Sequence, residues 1–132
     1  MKDAIKWKQK AAIENIKAAA QYLTLIFDAK EVAAAVAKMK KQRSKIEQFK
    51  AKDILRASDT QLLPETNEDV DAEFRKIQKR QLIHPLLLVR KRDKLYIADG
   101  YHRLCAAYYF NKNEMIDALL VSVPDGTAKR AR

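Results

Sequence analysis

Apolar residues recur at three- and four-residue intervals through the first half of the chain. Ile13, Ile16, Ala20, Leu23 and Phe27 share one helical face. Asp28-Ala-Lys-Glu31 then has the form of a capping box, in which Asp28 accepts a bond from a free backbone N–H and Glu31 reaches back. A second helix is predicted to follow, with Val32, Val36 and Met39 inward and Ile46 and Phe49 continuing its phase. The seam-like spacing predicts an antiparallel helical hairpin, or a dimer face against a second copy of the chain. It is too short for a sustained coiled coil. Asp53 to Ala57 reads as a short helical turn. Pro64 and the polar run after it mark a loop. Asn67 or Asp69 caps another helix, with Val70, Phe74 and Ile77 on its buried stripe.

The period then changes. "IHPLLLVR" is a continuous apolar run with Pro85 near its start, where a missing N–H does least harm. "KRD" forms a turn, "KLYIA" a second strand, Tyr101 to Phe110 a helix and "IDALLVSV" a third strand. This order predicts an α+β fold: a small mixed sheet with helices, preceded by the helical hairpin. Three segments follow: a basic helical extension packed on the core over 1–52, the core over 53–123, and a loose basic tail over 124–132.

Charge sharpens the division. Of a net +10, residues 1–52 carry 13 Lys/Arg against 5 Asp/Glu, or +8, whereas 53–132 carry 14 against 12, or +2. A basic first half attracts nucleic acid or another polyanion; the alternative is a solvated lysine-rich face. One cysteine excludes an intrachain disulfide and argues against a cysteine-based zinc site. A reducing, cytoplasmic setting is expected, with no membrane partner: "MKDAIKWKQK" lacks a signal-peptide core, and charges interrupt the most apolar region.

The candidate chemistry gathers at "DGYHR", where a strand becomes a helix. Gly100 permits unusual φ/ψ and close approach, and the first amides of a helix lack intrahelical partners. An anion is welcome there, with Arg103 clamping a phosphate and His102 donating a further bond. An ordinary turn and an exposed Arg are the competing reading. Asp99 orients His102, caps the helix or acts as a general base. Tyr101, Tyr108 and Tyr109 offer rings to bases, or serve as rim and core. His84 faces the phosphate or base, or is a strand-edge histidine bonded to backbone. Asp53 and Arg56 line the same cleft or form a surface ion pair. Arg90, Lys91, Arg92 and Lys94 make a basic hairpin turn. No resident metal is expected.

"IHPLLLVRKRDKLYIADGYHRLCAAYY" resembles the ParB/sulfiredoxin-like superfamily, whose members include the N-terminal domain of ParB partition proteins. There, an apolar strand near a proline is followed by a hairpin whose second strand ends at Gly-x-x-Arg, opening an alanine-containing helix. Gly100, His102 and Arg103 fall on that motif, and the likeness spans roughly residues 50–123. It implies phosphate binding at Gly100, Tyr101, His102, Arg103 and His84, and CTP or ATP with Mg²⁺ as ligands. If there is turnover, it implies phosphodiester hydrolysis or phosphoryl transfer by Asp99, His102 and Arg103. A non-catalytic basic DNA- or partner-binding module is the alternative. Tyr101 stands where sulfiredoxin has its reactive cysteine, so Cys105 is expected to be structural. ParB has two successive arginines where this chain has His102-Arg103. No helix-turn-helix or dimerisation domain follows, so full partition activity is not expected.

Overall fold

The structure, a computed structural model, describes residues 4–124. The tail expected over 124–132 lies outside the described residues from 125 onward. Nine elements follow in order: α1 (Ile13–Leu23), α2 (Ala29–Lys41), β1 (Glu47–Lys50), α3 (Ala51–Ser58), α4 (Glu68–Gln78), β2 (Leu86–Lys91), β3 (Lys94–Asp99), α5 (Tyr101–Phe110) and β4 (Met115–Ser122). The class is α+β with a mixed sheet. Its order is β1-β4-β2-β3, with β2 parallel to β4 and both outer pairs antiparallel.

Strand alternation builds two cores. Leu86, Leu88, Ile116 and Ala118 face α3, α4 and α5. Leu87, Val89, Leu119 and Val121 face the other way, where Ile16, Leu23, Val32 and Met39 of the first two helices, and Phe27 between them, cover them. A sheet buried on both faces explains why "PLLLV" is apolar at every position. The N-terminal helices are therefore an outer layer of the sheet, and their inward faces are covered by this chain itself. Ile13, expected on that buried face, is exposed at the first position of α1.

The phase expected to carry α2 through Phe49 ends earlier. The helix stops at Lys41, and Glu47–Lys50 pairs with Met115–Ala118 as an edge strand. The segment boundary expected at residue 52 thus falls inside α3. Further upstream, the Trp7 segment makes a parallel bridge to Ile83, so the chain's first stretch also joins the sheet layer.

The capping box at α2 forms as its sequence suggests: Glu31 N donates to Asp28 Oδ1 at 2.9 Å and Asp28 N to Glu31 Oε1 at 3.2 Å. Glu31 is buried, and Lys91 Nζ meets its other oxygen at 2.5 Å. That bond holds the Glu31 carboxyl below its ordinary value, despite the opposing effect of burial. A lowered folded value gives stability that is present above the unfolded carboxylate range and lost as pH falls through the folded value. Glu31→Gln should therefore cost about 1–3 kcal/mol at neutral pH. Chemical denaturation from neutral to acid pH should show the gap between variant and wild type closing.

Candidate functional site

β3 ends in a bulge that aims Asp99. Leu88 pairs with Ile97 but Leu87 pairs with Asp99, so Ala98 is an extra residue. The two-residue period would otherwise place Asp99 with Leu95 and Ile97; the bulge turns it to the side of Leu87, under α1. There Asn15 Nδ2 donates to Asp99 Oδ2 at 3.1 Å. Gly100 follows with φ +103, the left-handed region, and is the N-cap of α5 without a side-chain cap. A Cβ at this position would stand 2.8 Å from Arg103 Nη1 and 3.0 Å from Leu86 Cγ. The first α5 amide to find an intrahelical acceptor is Leu104, on Gly100 O at 2.8 Å. The three before it point outward from the helix end.

Arg103 lies among partners. Its Nε is 3.7 Å from Glu73 Oε1, its Nη1 is 4.0 Å from Asp99 Oδ2, and Nη1 donates to Pro85 O at 3.5 Å. Only 12% of the side chain is exposed, where the sequence suggested a first-turn arginine facing solvent. These contacts are long, so the guanidinium is enclosed without being saturated. His102 is outside, 43% exposed, with Nε2 3.7 Å from Asp69 Oδ2.

Two titratable groups, Asp99 at the turn and His84 ahead of β2, are displaced. Burial pushes the Asp99 carboxyl above its ordinary value, against the pull of Arg103 and the bond from Asn15. Burial also pushes His84 below its ordinary value; Lys8 and Arg103 add to this, and Glu14 and Asp99 oppose it. Among the described residues, His84 Nδ1 and Asn15 Oδ1 are buried atoms with no hydrogen-bond partner. The expected backbone bond of a strand-edge histidine is thus not formed at Nδ1. Buried polar atoms are rarely left in this state, and one of the two belongs to the amide that bonds Asp99.

A cleft of about 650 Å³ opens at this junction, lined by Asp99, Gly100, Tyr101 and His102 and, across from them, by Ser58 and Thr60. It continues along the open edge of β3 beneath Tyr22 of α1 and Ile26 of the turn that follows it. Asp53 and Arg56 lie elsewhere. They pair at 3.5 Å on the surface of α3, and each borders a different cleft. His84 likewise borders another opening, and only its charge reaches the junction. Tyr101 and Tyr109 donate their hydroxyls to Gln61 O and Leu63 O, which ties the 60–63 loop to α5. The hairpin cations do not form one patch: Lys91 turns to Glu31, Lys94 sits over the Tyr96 ring, and Arg90 and Arg92 border the α3 cleft.

Asn15 and Glu73 were not legible as site residues. Asn15 is a lone amide in an alanine-rich helix, and Glu73 is one carboxylate among several on α4. Only the tertiary fold brings them to Asp99 and Arg103. Among the described residues no group of three His, Cys, Asp or Glu is arranged to hold a metal ion. No described helix is long and apolar enough to cross a membrane.

Cys105 lies one turn into α5, fully buried among Leu104, Ala106 and Ala107. Burial pushes its thiol above the ordinary value, the reverse of what a nucleophile needs. A thiol reagent should leave Cys105 unlabelled in the folded protein and label it fully in denaturant. Rapid labelling under native conditions would contradict its burial.

Compared with known proteins, the chain matches no family model, no curated relative and no solved structure.

Proposed function

We propose that the chain binds a phosphate ester at the first turn of α5, in the manner of ParB/sulfiredoxin-like domains, and that Asp99 serves as the proton acceptor if the ester is turned over. The observation that carries this reading is Asp99 itself. It is a carboxylate held above its ordinary value, aimed by a bulge, next to an uncapped glycine-led helix end and bonded by Asn15, whose own amide oxygen is buried without a partner. Such an arrangement adds little to stability, and perturbed groups in clefts concentrate where chemistry is done.

The parts divide as follows. The free amides of Tyr101, His102 and Arg103 donate to the phosphate oxygens. His102, on the cleft wall, donates from outside. Arg103 balances charge from below, and Glu73 positions its guanidinium. Tyr101 shapes the wall through its tie to Gln61. Asp99 takes the proton of the attacking water in phosphodiester hydrolysis, or of the acceptor hydroxyl in phosphoryl transfer, as the new P–O bond forms and the P–O bond to the leaving oxygen breaks.

Three carboxylates, Asp69, Glu73 and Asp99, surround this end against one guanidinium. Their repulsion disfavours a bare polyanion, so a nucleotide accompanied by Mg²⁺, such as CTP or ATP, suits the site better than inorganic phosphate.

A thermal-shift panel of nucleotides and a phosphodiester, each with and without Mg²⁺, tests the reading. At one hundred times its dissociation constant a true ligand stabilises the fold by about 2.7 kcal/mol. Asp99→Asn removes a disfavoured buried charge and keeps an acceptor for Asn15. It should retain binding and melting temperature while abolishing turnover. No stabilisation by any phosphate ester would sink the proposal.

A further inference from the structure

A second cleft, of about 960 Å³, is lined by Trp7, Lys8, Lys10, Arg43, Leu82 and His84. We propose that it binds single-stranded nucleic acid, with bases against Trp7 and Leu82 and backbone phosphates on Lys8, Lys10 and Arg43. The inference stands apart from the α5 reading, because it rests on different residues and a different opening.

The cleft is built from three remote segments. Lys8 N donates to Ile83 O at 2.8 Å and Ile83 N to Lys6 O at 2.9 Å. Ala11 N donates to Arg43 O at 2.9 Å, and Arg43 Nε returns a bond to Ala11 O at 2.8 Å. The segments carrying the cations are thereby fixed to the fold, unlike those of a loose basic arm. The alternation of residues 5–8 sorts the roles: Ile5 is buried, Trp7 half-buried, and Lys6 and Lys8 exposed.

Charge and apolar surface choose the ligand together. The three cations face one carboxylate, Glu14, among the lining residues. Leu82 is 59% exposed beside Trp7, an aliphatic surface that a purely solvated lysine face has no use for. An aromatic and an aliphatic side chain amid cations fit a ligand that alternates flat apolar faces with negative charge. Single-stranded DNA and RNA have that chemistry. A duplex hides its base faces, and an acidic peptide lacks them.

Trp7 is the only tryptophan of the chain, so its fluorescence reports directly on this cleft. The full chain is titrated with ten-residue oligo(dT) and oligo(U), and with a DNA hairpin duplex and polyglutamate as competing classes. Saturable quenching by a single strand is expected, with affinity falling as salt rises; the tighter of the two strands identifies the source. Lys8→Gln combined with Lys10→Gln changes only exposed side chains, and folding is checked by circular dichroism. This variant should bind at least tenfold more weakly, and its salt slope should be shallower by about 0.7 for each lysine removed. His102→Ala should quench like the wild type, so failure of the α5 site and failure of this one are distinguishable. The proposal is overturned by no quenching with either single strand, by tighter binding of the duplex or of polyglutamate, or by an unchanged salt slope in the double variant.

Discussion

Phe27→Ala should lower stability by roughly 3–5 kcal/mol, the cost of emptying a buried aromatic site. Phe27 closes the outer layer where α1 hands over to α2. Its ring meets Tyr96 edge-on at 5.0 Å, and Lys91 Nζ lies 5.2 Å from its centroid. The same lysine holds Glu31, so truncation leaves a cavity and also loosens the partner of a buried carboxylate. Urea denaturation followed by circular dichroism reads the loss. An unchanged midpoint would mean that α1 and α2 do not pack on the sheet as described, and that the lower layer carries the stability alone.

Gly100→Val should be the most damaging single change at the site. A non-glycine residue at φ +103 costs about 1–3 kcal/mol. The added Cβ would also crowd Leu86 Cγ, at 3.0 Å in a packed core; overpacking of this kind costs about 1–3 kcal/mol more. Arg103 Nη1, at 2.8 Å, is the end of a long side chain and can retreat, but doing so abandons Asp99. Gly100→Ala shares the backbone strain without the branched side chain. The expected order of melting temperature is therefore wild type, alanine, valine. Equal stability of all three would show that the turn can adopt another conformation, and the geometry that exposes the α5 amides would lose its basis.

Much of this architecture could be read in advance because its signals are local. The α2 capping box, a cap for α4 at Asn67 or Asp69 (the structure uses Asn67), the hairpin after Pro85 and the α5 start after Gly100 each depend on neighbours within a few residues. β1 was missed for the opposite reason. Its four residues, Glu-Gln-Phe-Lys, hold one apolar side chain, and only pairing with β4 makes them a strand. Phe49 fits a helical stripe equally well on paper. The site divides in the same way. Asp99, Gly100, His102 and Arg103 are contiguous and were visible. The bulge that redirects Asp99, and the arrival of Asn15 and Glu73, are properties of the assembled sheet and helices. The enclosure of Arg103 follows from them. Arg103→Ala leaves Asp99 and Glu73 without their shared cation. It is a poor probe of binding alone, and His102, on the exposed wall, is the better one.

The measurement that bears most directly on the central claim is a calorimetric titration of the most stabilising phosphate ester into wild type, His102→Ala and Arg103→Lys, each shown to be folded by circular dichroism. Arg103→Lys keeps a cation for the two carboxylates but loses the planar fork that a phosphate engages. One site per chain is expected in the wild type, with at least tenfold weaker binding in both variants. Wild-type affinity in both would contradict the claim and leave the α5 junction as a turn and a helix start with no ligand of its own.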